Sequence, residues 1–304
     1  MFKVKRFGIA LFITFFLPCY ASAQLFQLSN EDGIKGYLFG STHGPIGGIQ
    51  VRSEIIVELI QQSRIVVLET ANGIPLVMRR SRLSVPSGST VFDALPANLR
   101  TCSVAAYDEM RQGIKANTEI STLLNLNPVF LAFAYLGFSL DKLKPLDTAA
   151  SYDRLITNAA LNSLKPIADL EPAAEKIDLL LKIAPVDVSS IICGLCEVNA
   201  TGRRTDVFRS LQNSIVDAYL QADMDQLTER HKSMYKLLGA SDLFIDLFWA
   251  KRNNLMANKI AGLVNNGYQP FIAIGASHLG GTDGVLALLA AKGLQVLAVP
   301  HTRK

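Results

Sequence analysis

Two short turns hold the residues of this chain best suited to chemistry. Gly40-Ser-Thr-His43 follows the strand-like run Ile34-Lys-Gly-Tyr-Leu-Phe, and Gly275-Ala-Ser-His278 follows Gln269-Pro-Phe-Ile-Ala-Ile. The two Gly-x-x-His patterns stand 235 positions apart in a chain with only four histidines. Imidazole nitrogen and carboxylate oxygen are ligands that zinc, manganese and cobalt share, and a hydrolytic site keeps a position open for water. His43, His278 and Glu69, which closes Arg64-Ile-Val-Val-Leu, supply such a set. Glu171 is a candidate further ligand or general base, and Arg252 is suited to a substrate carboxylate or a developing oxyanion. Each residue also has an ordinary role open to it. A turn histidine can simply hydrogen-bond, Glu69 can cap a helix or pair with a cation, Glu171 can face a helix dipole, and Arg252 can form a surface ion pair.

Convergence of these side chains requires strands that end side by side. Apolar runs predict strands at Leu25 to Leu28, Gly36 to Phe39, Arg64 to Thr70, Lys165 to Leu170, Gln269 to Gly275 and Leu294 to Val299. Helical patterns cover Ser53 to Gln62, much of Val91 to Phe138, Tyr152 to Leu161, the stretch from Pro172, Val207 to Leu238, Ser241 to Val264, and Val285 to Lys292. Strands and helices alternate at both ends with helices massed between them. That order predicts an α/β fold, a central β-sheet with helices on its faces and a large helical insertion. The insertion runs around 89–140, after the Ser-, Pro- and Gly-rich Ser84 to Ser89, and a second helical region runs around 172–264. In such sheets ligands collect at the carboxyl ends of the strands.

Residues 1–23 read as a signal peptide. Lys3, Lys5 and Arg6 precede an apolar stretch from Phe7 to Tyr20, and Ala21-Ser22-Ala23 supplies a small-residue cleavage signature. The apolar stretch is shorter than the roughly 20 residues of a spanning helix. The expected mature protein is a single domain over 24–304, exported to a periplasm or secreted, with no stable membrane span after cleavage. Cleavage removes three positive and no negative charges from a net +4, leaving +1. That balance gives no electrostatic case for nucleic acid as partner. Arg79-Arg80-Ser81-Arg82 and Arg203-Arg204 are short enough to be solvated loops.

Other motifs lack a needed part. Gly275 and Gly280 have P-loop spacing, but Gly281-Thr282 follows where lysine is required. No Gly-x-Ser-x-Gly elbow occurs. Cys193-Gly-Leu-Cys196 has redox spacing, yet it is expected between helical segments and not after a strand. In an exported chain a disulfide is expected, either Cys193 with Cys196 or one of them with Cys102.

Taken in order, several segments resemble the TraB/GumN family, which is related to the Tiki metalloproteases and more distantly to erythromycin esterase-type proteins. They are Tyr37 to His43, Val66 to Thr70, Tyr152-Asp153, Lys165 to Glu171 with Glu175, Arg252-Asn253 through Met256-Ala257 and Ile260, and Gly275 to Gly281 with Gly284 to Leu289 and Gly293. The resemblance implies an active-site core of two Gly-x-x-His histidines and a glutamate, here His43, His278 and Glu69, with Glu171 and Arg252 in support. It also implies divalent-metal-dependent peptide hydrolysis, as in the Tiki branch, acting on a peptide or protein substrate. The TraB branch, associated with limiting a peptide pheromone, suggests instead a protein that sequesters a peptide, and metal-free ester hydrolysis is a third expectation. Lys176 stands where the family usually carries glutamine.

Overall fold

The computed structural model describes residues 24–42, 53–70, 84–113, 124–143, 152–200 and 202–299. His43, the segment 1–23, the arginines at 79–82 and His301 lie outside the described residues.

Leu25–Asn30 (β1) and Gly33–Ser41 (β2) form an antiparallel hairpin. Gly33, at φ 103°, adopts the left-handed backbone that its tight turn demands. Ser53–Gln62 (α1) leads into Ile65–Leu68 (β3). Arg100–Gly113 (α2), Pro128–Leu143 (α3) and Tyr152–Asn162 (α4) precede Ile167–Asp169 (β4). A helical run follows: Ala173–Leu180 (α5), Pro185–Ala200 (α6), Gly202–Leu220 (α7), Met224–Leu237 (α8) and Asp242–Ile245 (α9). A π-helical turn, Asp246–Ala250, joins α9 to Lys251–Asn265 (α10). Pro270–Gly275 (β5), a single 3₁₀ turn Ala276–His278, Val285–Ala291 (α11) and Gln295–Ala298 (β6) complete the described chain.

The six strands lie in the order β4-β3-β5-β2-β1-β6. Four of them, β4, β3, β5 and β2, run parallel, so their carboxyl ends share one edge of the sheet. β1 is antiparallel to both neighbours. Central strands of a parallel sheet are covered on both faces, which explains their nearly unbroken apolar sequences. Alternation divides them. Val66, Leu68, Phe271 and Ala273 join Ile56 and Ile60 of α1 and Ile156 of α4 on one face. Val67, Ile272 and Ile274 join Ile260 and Val264 of α10 and Leu195 of α6 in the larger cluster on the other. The fold is therefore α/β, as the element pattern predicts.

The expected helical stretch Val207 to Leu238 is present as two helices: Ala222 turns to φ 52°, and Asp223 caps α8 by accepting the Gln226 N–H at 3.0 Å. Asp223 is a good N-cap, and its side chain competes with helix continuation there. Cys193 and Cys196 lie within α6, not between helices. Cys193 bonds Cys102 of α2, with Cα atoms 5.2 Å apart, and Cys196 remains a thiol. The bridge ties the helical insertion to the second helical region.

Candidate functional site

The parallel strands deliver three of the named residues to adjacent places. The Glu69 N–H donates to Ala273 O at 2.9 Å, and the Glu171 N–H donates to Glu69 O at 2.9 Å, so both carboxylates extend the ladder just past β3 and β4. His278 ends the 3₁₀ turn that follows β5. β2 ends at Ser41 in register with Gly275. Glu69, Glu171, Arg252 and His278 thus come together, whereas His43 lies outside the described residues.

Arg252 is the centre of the cluster. Its Nη2 reaches Glu69 Oε1 and Glu171 Oε2, each at 2.5 Å, and its Nε reaches Glu171 Oε1 at 3.0 Å. The side chain is 2% exposed and also lies over the Phe248 ring, 5.2 Å from the centroid. Phe248 belongs to the π-helical turn, a feature often found where a helix must re-aim side chains at a site. Burial would lower the Arg252 pKa, but the Glu171 and Glu69 carboxylates reverse that and raise it. The arginine expected to meet a substrate carboxylate is instead committed to two internal ones. Desolvation explains the commitment, because a buried guanidinium requires carboxylate partners.

Glu69 has both oxygens engaged. Oε1 accepts from Arg252 and from Lys176 Nζ at 3.1 Å, while Oε2 accepts the Gly275 N–H at 2.9 Å. Burial would raise its pKa, yet the Arg252 and Lys176 charges and the Gly275 N–H together hold the carboxyl well below its ordinary range. Glu69 is a fixed anion.

The protonation of His278 follows from its neighbour. Asn253 Nδ2 donates to the Asp283 carbonyl at 2.8 Å, which turns Asn253 Oδ1 toward His278 Nδ1 at 2.7 Å. An amide oxygen only accepts, so Nδ1 carries a hydrogen, and in the neutral ring Nε2 is then the nitrogen with the lone pair. Burial first, and Arg252 second, push the imidazole pKa down to about 3 against the pull of Glu69. His278 is neutral at physiological pH, with Nε2 as an available donor atom. A Cβ placed on Gly275 would lie 3.2 Å from Glu69 Oε2 and 3.5 Å from His278 Cδ2. The carboxylate and the Cδ2 edge of the ring therefore both lie beside Gly275.

α8 holds this turn in place. Thr228 Oγ1 donates to Ser277 O at 2.9 Å and accepts the Gly280 N–H at 3.2 Å, Asp225 accepts the Gly281 N–H at 2.7 Å, and Lys232 bonds Asp283 at 2.8 Å. Residues 225, 228 and 232 share one helical face. Trp249 Nε1 adds a second donor to Ser277 O at 3.1 Å. Sequence reading missed this support, and it also missed Asn253 as the partner of His278. The one signal for Lys176 was its departure from the expected glutamine.

Among the described residues no three His, Cys, Asp or Glu side chains group as a metal site. The donor chemistry fits a divalent cation on one side only: neutral His278 Nε2 and Glu69 Oε2 are suitable ligands, while Oε1 is occupied by two cationic side chains. No curated protein and no solved structure matches the chain. A family model does match, over residues 25–298, and it spans the strands, the carboxylate pair and the His278 turn. The chain belongs to the TraB/PrgY/gumN family.

Proposed function

We propose that this protein is an exported, divalent-metal-dependent hydrolase of peptides or proteins, working at the carboxyl-end crevice of its sheet. One observation carries the reading: a neutral histidine, whose Nε2 has no partner among the described residues, lies beside the same glycine as an ionised glutamate. His278 and Glu69 would hold the cation, with His43 from the sequence as the third ligand. Manganese, cobalt and zinc all accept such a set. The cation would supply Lewis-acid polarisation of the scissile carbonyl and make water nucleophilic near neutral pH. Asn253 keeps the imidazole in the ligating tautomer. Arg252, held by Glu171, fixes the orientation of the Glu69 carboxylate from its Oε1 side. The Cys102–Cys193 disulfide is consistent with an oxidising compartment, periplasmic or extracellular.

Cleavage of a peptide library by the purified protein, with and without chelator, tests the proposal. Shortened peptides that disappear on chelation or in His278→Ala are expected. Intact peptide recovered after binding would refute catalysis.

A second reading is favoured by the charge balance around Glu69. Two carboxylates face two cations and a neutral imidazole, a set that is stable without metal. It corresponds to metal-free ester hydrolysis or to peptide sequestration, and cleavage that survives chelation would select the former.

A further inference from the structure

We infer that Lys176 is a built-in competitor for divalent cation at Glu69 and sets how tightly this protein holds one. The inference rests on the metal-dependent reading above and assigns its control to a single side chain.

Lys176 lies on α5, in the second turn after the strand end that presents Glu171. Its Nζ bonds Glu69 Oε1 at 3.1 Å and Thr70 Oγ1 at 3.4 Å. Arg252 touches the same oxygen, so the carboxylate is neutralised twice. The two cations differ in how they are held. The Arg252 side chain is 2% exposed and locked between two glutamates, whereas that of Lys176 is 28% exposed. Arg252 is therefore a fixed part of the core. The lysine head can swing to water with little cost in packing, because a flexible four-carbon stem carries it.

Charge decides the consequence. Glu69 and Glu171 carry two negative charges, and Arg252 and Lys176, which bond them, carry two positive ones. A divalent cation entering at Glu69 Oε2 and His278 Nε2 would leave a buried surplus of two positive charges. Removing the lysine charge leaves the cluster at minus one before the cation arrives. The gain in attraction is large at the low effective dielectric of a buried cluster. A purely structural Lys176–Glu69 pair would affect folding without this effect on metal uptake.

Calorimetric titration of the purified full chain with manganese, cobalt and zinc chlorides tests the inference. Lys176→Gln is expected to tighten the dissociation constant about tenfold or more, each tenfold being about 1.4 kcal/mol of relieved repulsion. Lys176→Arg should remain near the unsubstituted protein, because it keeps the charge. Adding Glu69→Gln to Lys176→Gln should cancel the gain. Lys176→Met, which also removes the charge, carries the same expectation should Lys176→Gln fold poorly by circular dichroism. Equal affinities for the unsubstituted and charge-removed proteins would overturn the role of Lys176 and leave the metal reading standing. Absence of heat with every metal in every variant would overturn both.

Discussion

The amide of Asn253 is oriented from two directions, and that makes one side chain answerable for the state of another. It is fully buried, with Nδ2 on the Asp283 carbonyl and Oδ1 on His278 Nδ1. Replacing it by alanine leaves the Nδ1–H without its acceptor and permits the other tautomer, in which Nε2 is protonated and cannot ligate. Asn253→Ala should lower activity or metal affinity by about 10–100-fold, the usual range for a residue that orients a ligand. Imidazole nitrogen shifts in a labelled NMR sample check the cause directly: the native protein should show a single Nδ1–H tautomer and the variant a mixture. A variant with the native tautomer and reduced affinity would contradict this account. Little of it was legible in sequence, because an asparagine one position after an arginine on a helix carries no mark of the residue it will meet 25 positions later. His278 and Glu69, by contrast, were legible because small residues and strand ends flank them. Lys176 was visible only as a mismatch, since its contact with Glu69 spans 107 positions.

At the scale of elements, the strands were read from sequence with boundaries close to those observed, since each parallel strand is an apolar run ending in a polar or small residue. The helix α8 was also read, but its task was not. Its polar residues Asp225, Thr228 and Lys232 look like an ordinary solvated face, yet they bind the loop that carries His278. The closeness of the two elements depends on Gly280. A Cβ there would lie 2.0 Å from the Met224 carbonyl oxygen, at the first residue of α8, where backbone cannot yield as a flexible side chain would. Gly280→Ala should therefore push the turn away from the helix and cost several kcal/mol, at the upper end of single-substitution effects. Urea unfolding measures the loss. Thr228→Val, which removes the hydroxyl bonds and preserves the shape, should cost less, about 1–3 kcal/mol. If Gly280→Ala proved as stable as the native protein, the loop would have to be free to move relative to α8, and the rigid placement of His278 would be lost with it.

For the molecule as a whole, the cluster couples folding to acidity through two groups that act in the same direction. His278 has its pKa depressed from 6.5 to about 3 in the folded protein, so between those values the unfolded chain binds a proton that the folded one excludes. Stability therefore falls as pH drops below about 6.5. Glu69 has a folded pKa well below the ordinary carboxylate range, so its contribution is present above that range and is lost as acidity increases further. The sum predicts a decline that starts a full two units above the range where ordinary carboxylates titrate. In chelator-containing buffer, the free energy of urea unfolding should be flat above about pH 7. It should then fall between roughly pH 6 and 5, with about 1.4 kcal/mol per pH unit owed to His278, the value for one proton, and a further share owed to His231, whose pKa burial also lowers. His278→Gln should remove the His278 share of that upper decline, leaving the share owed to buried His231 and the lower part owed to Glu69 and the other carboxylates in place. Addition of a cation that binds the neutral imidazole should raise stability at pH 7 and steepen the fall, because protonation then displaces the metal as well. An unchanged slope in His278→Gln between pH 6 and 5 would mean that His278 is not held neutral by the buried cluster, and the donor role assigned to its Nε2 would have no physical basis.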